Sequence, residues 1–157
     1  MLGARLEVVP ATAEYGRAVA ASMRPADIAE VWALAHHSPL QAVDLSLAAP
    51  GEQLAFIADD MPMAVFGCSQ TGLAGIGTPW LLGAVGVERY ARQFIELGRT
   101  YVARWAGQYD DLINVVDARN RVSIKWLRRL GFTFRDPVLL GPDACLFLPF
   151  QLRRSDV

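Results

Sequence analysis

The chain has little that would commit it to a special environment. It holds only two cysteines, Cys68 and Cys145, in 157 residues. Each sits in an apolar, strand-like run with no metal-ligand spacing, so both read as small buried hydrophobes in a reducing compartment. No stretch of about 18 apolar residues appears, so no membrane-spanning helix is expected. The first residues lack a basic start followed by an apolar run, which argues against a secretory signal. Charge of one sign is missing too: 15 Lys and Arg stand against 16 Asp and Glu, a net charge of -1. That balance excludes a general electrostatic drive toward nucleic acid or anionic lipid. The pairs Arg128-Arg129 and Arg153-Arg154 are local exceptions, read as a solvated helix face and a polar tail. His36 and His37 are adjacent but lack a third ligand at metal spacing, so no metal is expected.

What is present is core material. Hydrophobic residues make up 53% and charged residues 20%, a composition that folds, and the length suits a single domain over residues 1–157. Arg5 to Pro10 alternates and stops at proline, as a first strand does. Thr12 caps a helix through Tyr15, Val19 and Met23, and Pro25 opens a second through Ile28, Val31, Trp32 and Leu34. Ser38-Pro39 starts a third. Ala48 to Glu52 reads as a loop. Leu54 to Ala58 and Met63 to Cys68 form a hairpin around Asp59-Asp60-Met61-Pro62. Ser69 to Thr78, with three glycines, is either a loop or a strand broken by bulges. Pro79-Trp80-Leu81-Leu82-Gly83 reads as a short buried strand.

From Val87 to about Trp105 apolar residues recur at helical spacing, and Gly107 can end that helix. Leu112 to Val116 is the strongest internal strand. Asn120 can cap the following helix, which closes on Leu130-Gly131. Phe132-Thr133-Phe134 and Cys145 to Phe150 are the last two strands. The order predicts an α/β (α+β) architecture, a mixed sheet of about six to seven strands flanked by about four to five helices.

Asn120, Ser123-Ile124 and Leu130-Gly131-Phe132 carry a resemblance to the acyl-CoA-binding core of the GNAT N-acetyltransferases. The resemblance implies that the strand before this helix splays from its neighbour, with acyl-CoA in the gap and pantetheine bonded to strand backbone. It makes Asn120 the best cofactor-contact candidate, alongside its reading as a helix N-cap. It also places Asn114 and Trp80, Leu81, Leu82 and Gly83 along the gap. Acetyl-CoA is the implied cofactor, but three departures count against it. The diphosphate loop of the family, Gln/Arg-x-x-Gly-x-Gly/Ala, corresponds here to Trp80 through Val87. Gly83 and Gly86 are present, yet the second glycine falls one position late and the leading Arg/Gln is absent. Leu127 stands where many members carry the Tyr that protonates the leaving thiolate, and the neighbouring Trp126 cannot serve as that acid. The expected strands at 63–68 and 79–83 also offer no base. Glu52, Asp59, Asp60, His36 and His37 read as turn or surface residues. No catalytic residue is assigned.

A narrower resemblance spans nearly the whole chain. Met23-Arg24-Pro25-Ala26-Asp27, Pro79 to Gly83, and Asn114 to Asn120 are together similar to small GNAT-fold proteins of short-tailed bacteriophages, internal virion or virion-assembly proteins. It implies a protein acting by binding in virion assembly or host interaction, in the host cytoplasm or with the virion. Its partners would be a phage or host protein, or a second copy in a homodimer. The alternatives are an active N-acetyltransferase on an amine acceptor, since attack on a bound thioester needs mainly positioning and a polarised carbonyl, and a subunit whose cleft is filled by Trp80, Trp126 and Phe66.

Overall fold

The structure is a computed structural model that describes residues 3–157. Its centre is an eight-stranded mixed sheet in the order β1-β2-β3-β4-β5-β8-β6, with β7 also on β8. The strands are β1 (Leu6–Pro10), β2 (Gly51–Ala58), β3 (Met61–Gln70), β4 (Ile76–Gly83), β5 (Asp111–Asp117), β6 (Thr133–Phe134), β7 (Val138–Leu140) and β8 (Cys145–Arg153). Five helices flank them: α1 (Ala13–Ala21), α2 (Pro25–Ala35), α3 (Pro39–Ala48), α4 (Ala91–Gln108) and α5 (Arg121–Arg129).

Local chemistry sets the helix starts. The Thr12 hydroxyl accepts from Tyr15 N–H, and Ser38 and Gln41 form a reciprocal capping box before Pro39. Pro25 opens α2 at a position where a missing N–H costs nothing. The β2–β3 hairpin turns on Asp59 and Asp60, both at positive φ, the conformation that matches the twist of the flanking strands. β3 therefore begins at Met61, two residues earlier than the hydrophobic run indicates.

Other boundaries also differ from expectation. Gly51 and Glu52 belong to β2 and not to a loop. The glycine-rich segment becomes the end of β3, a short turn, and a β4 that starts at Ile76. A 3-10 turn over Val87–Tyr90 precedes α4, which runs through Gly107 to Gln108. β7 was not foreseen: its three residues sit on the Cys145 end of β8, too short for a periodic signal.

Two apolar layers sandwich the sheet. On one face α4 and α5 pack Phe94, Ile95, Trp105, Ile124 and Trp126 against Phe56, Phe66 and Val116. Phe94 is the hub, with ring centroids 5.2 Å from Phe56, 5.4 Å from Phe66 and 5.7 Å from Trp126, spacings typical of attractive aromatic pairs. On the other face Val19 of α1 and Val43 of α3 pack against Ala55, Ile57, Val65 and Leu82.

The pairing that positions the site is β4 with β5. They run parallel and are paired only at Ile76↔Asp111 and Gly77↔Leu112. Beyond that point they diverge, leaving a V-shaped gap toward Gly83 and Asp117.

Candidate functional site

Splaying two strands strands their facing backbone groups, and buried N–H and C=O groups must be paired. Here side chains do the pairing. Asn114 spans the gap: its Nδ2 donates to the Pro79 carbonyl at 2.8 Å and its Oδ1 accepts from Val115 N–H at 2.8 Å. Pro79 fits this edge because its ring removes an N–H that would otherwise face the gap. Further along, Asp117 N–H donates to Glu30 Oε1 at 2.7 Å, and Gly83 N–H donates to Asp27 Oδ2 at 2.9 Å.

Glu30 and Asp27 lie on α2, three residues apart on one helix face directed at the mouth of the V, and Arg24 is the N-cap residue that precedes the helix. Arg24 donates from Nη1 to Asp27 at 3.0 Å and from Nε to Glu88 at 3.0 Å, and from Nη2 to Asn120 Oδ1 at 3.5 Å. Asn120 Nδ2 in turn donates to Asp27 at 3.2 Å. Asp27 is 1% exposed and Asn120 2%. Asn120 also caps α5, accepting from Ser123 N–H. Its cap role is thus visible, and its amide is committed to a buried network at the place where the resemblance would have it meet a cofactor.

The network shifts its acids. Burial pushes the Asp27 carboxyl up, opposed by Arg24, Gly83 N–H and Asn120. Burial, with the Asp27 and Asp117 carboxylates adding to it, raises Glu30 to about 7 against the bond from Asp117 N–H. Asp117 is also penalised by burial, but the bonds and charge of Arg119 outweigh this and hold it below the usual carboxylate range. Arg119 grips it with Nε at 3.0 Å and Nη2 at 2.7 Å.

The Gly83–Gly86 loop is similarly satisfied from within. Besides Gly83, Ala84 N–H donates to Met63 O, Val85 N–H to Ser22 O, and Val87 N–H to Ala84 O. Four of the five N–H groups from Gly83 to Val87 are therefore bonded inside the chain. A phosphate at a helix start needs such groups free. Here a carboxylate holds the Gly83 position, and Glu88 adds a second acid beside Arg24. The residues of this loop do not fit a diphosphate.

Behind this mouth the gap remains open as a cavity of about 450 Å³. It runs past β4 and β5, with Phe94 and Trp126 on one side of the sheet and α2 and α3 on the other. Trp80, Trp126 and Phe66 line it without filling it, which corrects the expectation of a plugged cleft. Leu81, Leu82, Asn114 and Leu127 also line it; Gly83, Gly86 and Asn120 do not. Of the remaining candidates His37 also lines the cavity; the others scatter. Glu52 binds Arg104 and the Trp105 indole N–H. His36 faces Asp143 and stacks on Trp32, while Asp59 and Asp60 make the hairpin turn. Burial lifts the Cys68 thiol to about 12, so it is inert as a nucleophile. Among the described residues no three His, Cys, Asp or Glu side chains group as metal ligands, and no helix is long and apolar enough to cross a membrane.

Sequence reading missed Arg24, Asp27 and Glu30 as site residues. The available signal was three charged residues spaced by three, Arg24 at the N-cap and Asp27 and Glu30 within a helix of otherwise apolar residues.

No protein-family model matches the chain, and no curated protein sequence does. Solved structures do match. An N-acetyltransferase from Staphylococcus aureus Mu50 superposes with a TM-score of 0.72 at 16% identity, covering 96% of this chain and 99% of that one. The spermidine N-acetyltransferase of Vibrio cholerae, in complex with CoA and spermine, gives 0.67 at 10% identity, covering 96% of each. A GNAT-family acetyltransferase of Streptococcus pneumoniae gives 0.63 at 9% identity, covering 95% and 99%. The chain has the GNAT fold.

Proposed function

We propose that this chain is a GNAT-fold protein that has given up acetyl-CoA-dependent transfer and acts by binding, in the manner of the virion-assembly proteins of short-tailed bacteriophages. The observation that carries this reading is the Asp27 carboxylate on Gly83 N–H, locked by Arg24 and Asn120. The resemblance would put the CoA diphosphate at this loop. Leu127, unable to protonate a thiolate, supports the same reading. So does the way the narrower resemblance maps onto space: its three segments supply Arg24 and Asp27, Pro79 and Gly83, and Asn114 and Asn120, and these are the groups that bond one another across the V. The partner is a phage or host protein, or a second copy.

The test is acceptor-dependent release of CoA from acetyl-CoA, run over a panel of polyamines, amino acids and lysine peptides. The reading expects no release above the rate without protein. Turnover with any acceptor contradicts it.

A second reading, an N-acetyltransferase, rests on Glu30. This carboxylate lines the cavity and titrates near 7, the range that suits a general base. Strand alternation also turns the Leu81 N–H toward the gap, where it could polarise a carbonyl. Turnover that disappears in Glu30→Gln would establish this alternative.

A further inference from the structure

The near-neutral total conceals a division of charge along the chain. Residues 1–87 hold 3 Lys and Arg against 8 Asp and Glu, whereas residues 88–157 hold 12 against 8. Many of the later cations gather on the outer face of α4 and α5. Every exposed residue of α5 is a cation: Arg121, Lys125, Arg128 and Arg129. At spacing i, i+4, i+7 and i+8 they share one side of the helix. α4 adds Arg92 and Arg99, seven residues apart and so on one face as well. A groove of about 270 Å³ between the two helices is lined by Arg92, Arg99 and Arg129, with Ile95 and Glu96. Arg99 and Arg129 meet across it, the Arg99 Nη2 donating to the Arg129 carbonyl at 3.5 Å.

Among the described residues little neutralises this face. Glu96 is the only acid on either helix, and it meets Arg92 at 3.6 Å with both side chains largely exposed, a pair of small worth. Glu88, in the turn before α4, is bonded to Arg24. Arg128 lies over the Phe134 ring, 5.3 Å from its centroid, and keeps its charge. Helix stability accounts for Arg128 and Arg129, which sit in the last turn of α5, where the helix dipole favours a cation. It does not account for Arg121 and Arg92. These occupy first turns, where the dipole favours an acid and neither helix has one. Cations placed against the local preference call for an anion from outside the chain.

The makeup of the face selects the anion. Neither helix exposes a large apolar or aromatic side chain. A protein partner would need such anchors at the centre of its interface, and a single strand would need aromatic platforms for its bases. A duplex backbone needs neither, only cationic groups for its phosphates. Double-stranded RNA is recognised largely through shape and its 2′-hydroxyls, for which α5 exposes no uncharged polar group.

We infer that the outer face of α4 and α5 binds the phosphate backbone of duplex DNA without reading its sequence, through Arg92, Arg99, Arg121, Lys125, Arg128 and Arg129. No covalent step is involved. The inference is independent of whether the Gly83 loop admits acetyl-CoA, because none of these six side chains lines the gap between β4 and β5.

The probe is a short fluorescein-labelled DNA duplex of mixed sequence, titrated with the full chain and followed by anisotropy. Saturable binding in the micromolar range is expected at low salt, weakening about a hundred-fold or more between about 50 and 200 mM salt. Arg121→Gln, Lys125→Gln and Arg128→Gln together, which keep good helix formers, should weaken low-salt binding by about ten-fold or more and reduce the salt slope by about three. Circular dichroism should show the fold of this variant retained. Arg17→Gln, an exposed change on α1 across the sheet, should leave binding unchanged. Failure of the wild-type protein to bind the duplex at low salt overturns the inference, as does undiminished binding by the folded triple variant. Tighter binding of single-stranded DNA or of duplex RNA does so as well. Polyglutamate competing as well as unlabelled duplex would assign the face to an acidic protein. Free CoA displacing the duplex at micromolar concentration would assign it to nucleotide phosphates. Either result also overturns the inference.

Discussion

Asp27 and Gly83 are 56 residues apart, and the Asp27 carboxylate takes the backbone N–H of Gly83 at 2.9 Å. The bond joins α2 to the end of β4 and closes the mouth of the sheet. Asp27 is held in turn by Arg24 and Asn120, so three elements meet on one buried carboxyl.

Removing that carboxyl should be costly. Asp27→Ala leaves the Arg24 guanidinium, 4% exposed, partly uncompensated and Gly83 N–H unpaired. Breaking one side of a buried ion pair costs about 3–5 kcal/mol. Urea unfolding should show a loss of that order. The double replacement Arg24→Met with Asp27→Leu should cost less than Asp27→Ala alone, because no buried charge is left over.

Glu30 gives the fold a definite pH dependence. Its pKa is raised from 4.5 to about 7, so between these values the folded protein holds a proton that the unfolded chain has released. Stability from this group is complete below pH 4.5 and is lost as pH rises toward 7 and above. Asp27, also raised, acts in the same direction. Asp117, lowered, acts oppositely and only in acid. Glu30→Gln keeps an acceptor for Asp117 N–H and removes the titration. It should flatten the fall in thermal midpoint between pH 5 and 8 and gain at most about 3 kcal/mol at the alkaline end.

Asn114 holds the splay. Asn114→Ala removes the partners of both Pro79 O and Val115 N–H, and a buried unsatisfied group costs about 1–3 kcal/mol. Hydrogen exchange at Val115 N–H should accelerate by at least ten-fold, while exchange in the distant β2–β3 hairpin follows only the global loss of stability.

The α/β layering was legible because periodicity is a local signal: Phe94, Ile95 and Val102 mark α4, and Leu112 and Val116 mark β5. The helix starts at Thr12, Pro25 and Ser38 were legible from cap chemistry. The site was harder. Trp80, Leu81, Leu82 and Asn114 do line the gap, but Gly83, Gly86 and Asn120 sit at its closed mouth. What closes it comes from α2, where nothing in the sequence says which way Arg24, Asp27 and Glu30 face. A charged stripe on a helix ordinarily meets solvent; here it meets strand ends, and only the tertiary fold determines that. Three-residue β7 escaped for a plainer reason, being too short to show a period, whereas β6 was legible in Phe132-Thr133-Phe134.

Calorimetric titration of the wild-type protein with acetyl-CoA at neutral pH, with free CoA alongside, decides whether the Gly83 loop is closed to phosphate. No saturable heat in the micromolar range is expected for either. Micromolar binding of acetyl-CoA, reduced for a form lacking the diphosphate, would show that the Asp27 carboxylate yields the Gly83 loop to phosphate and would overturn the binding-only reading.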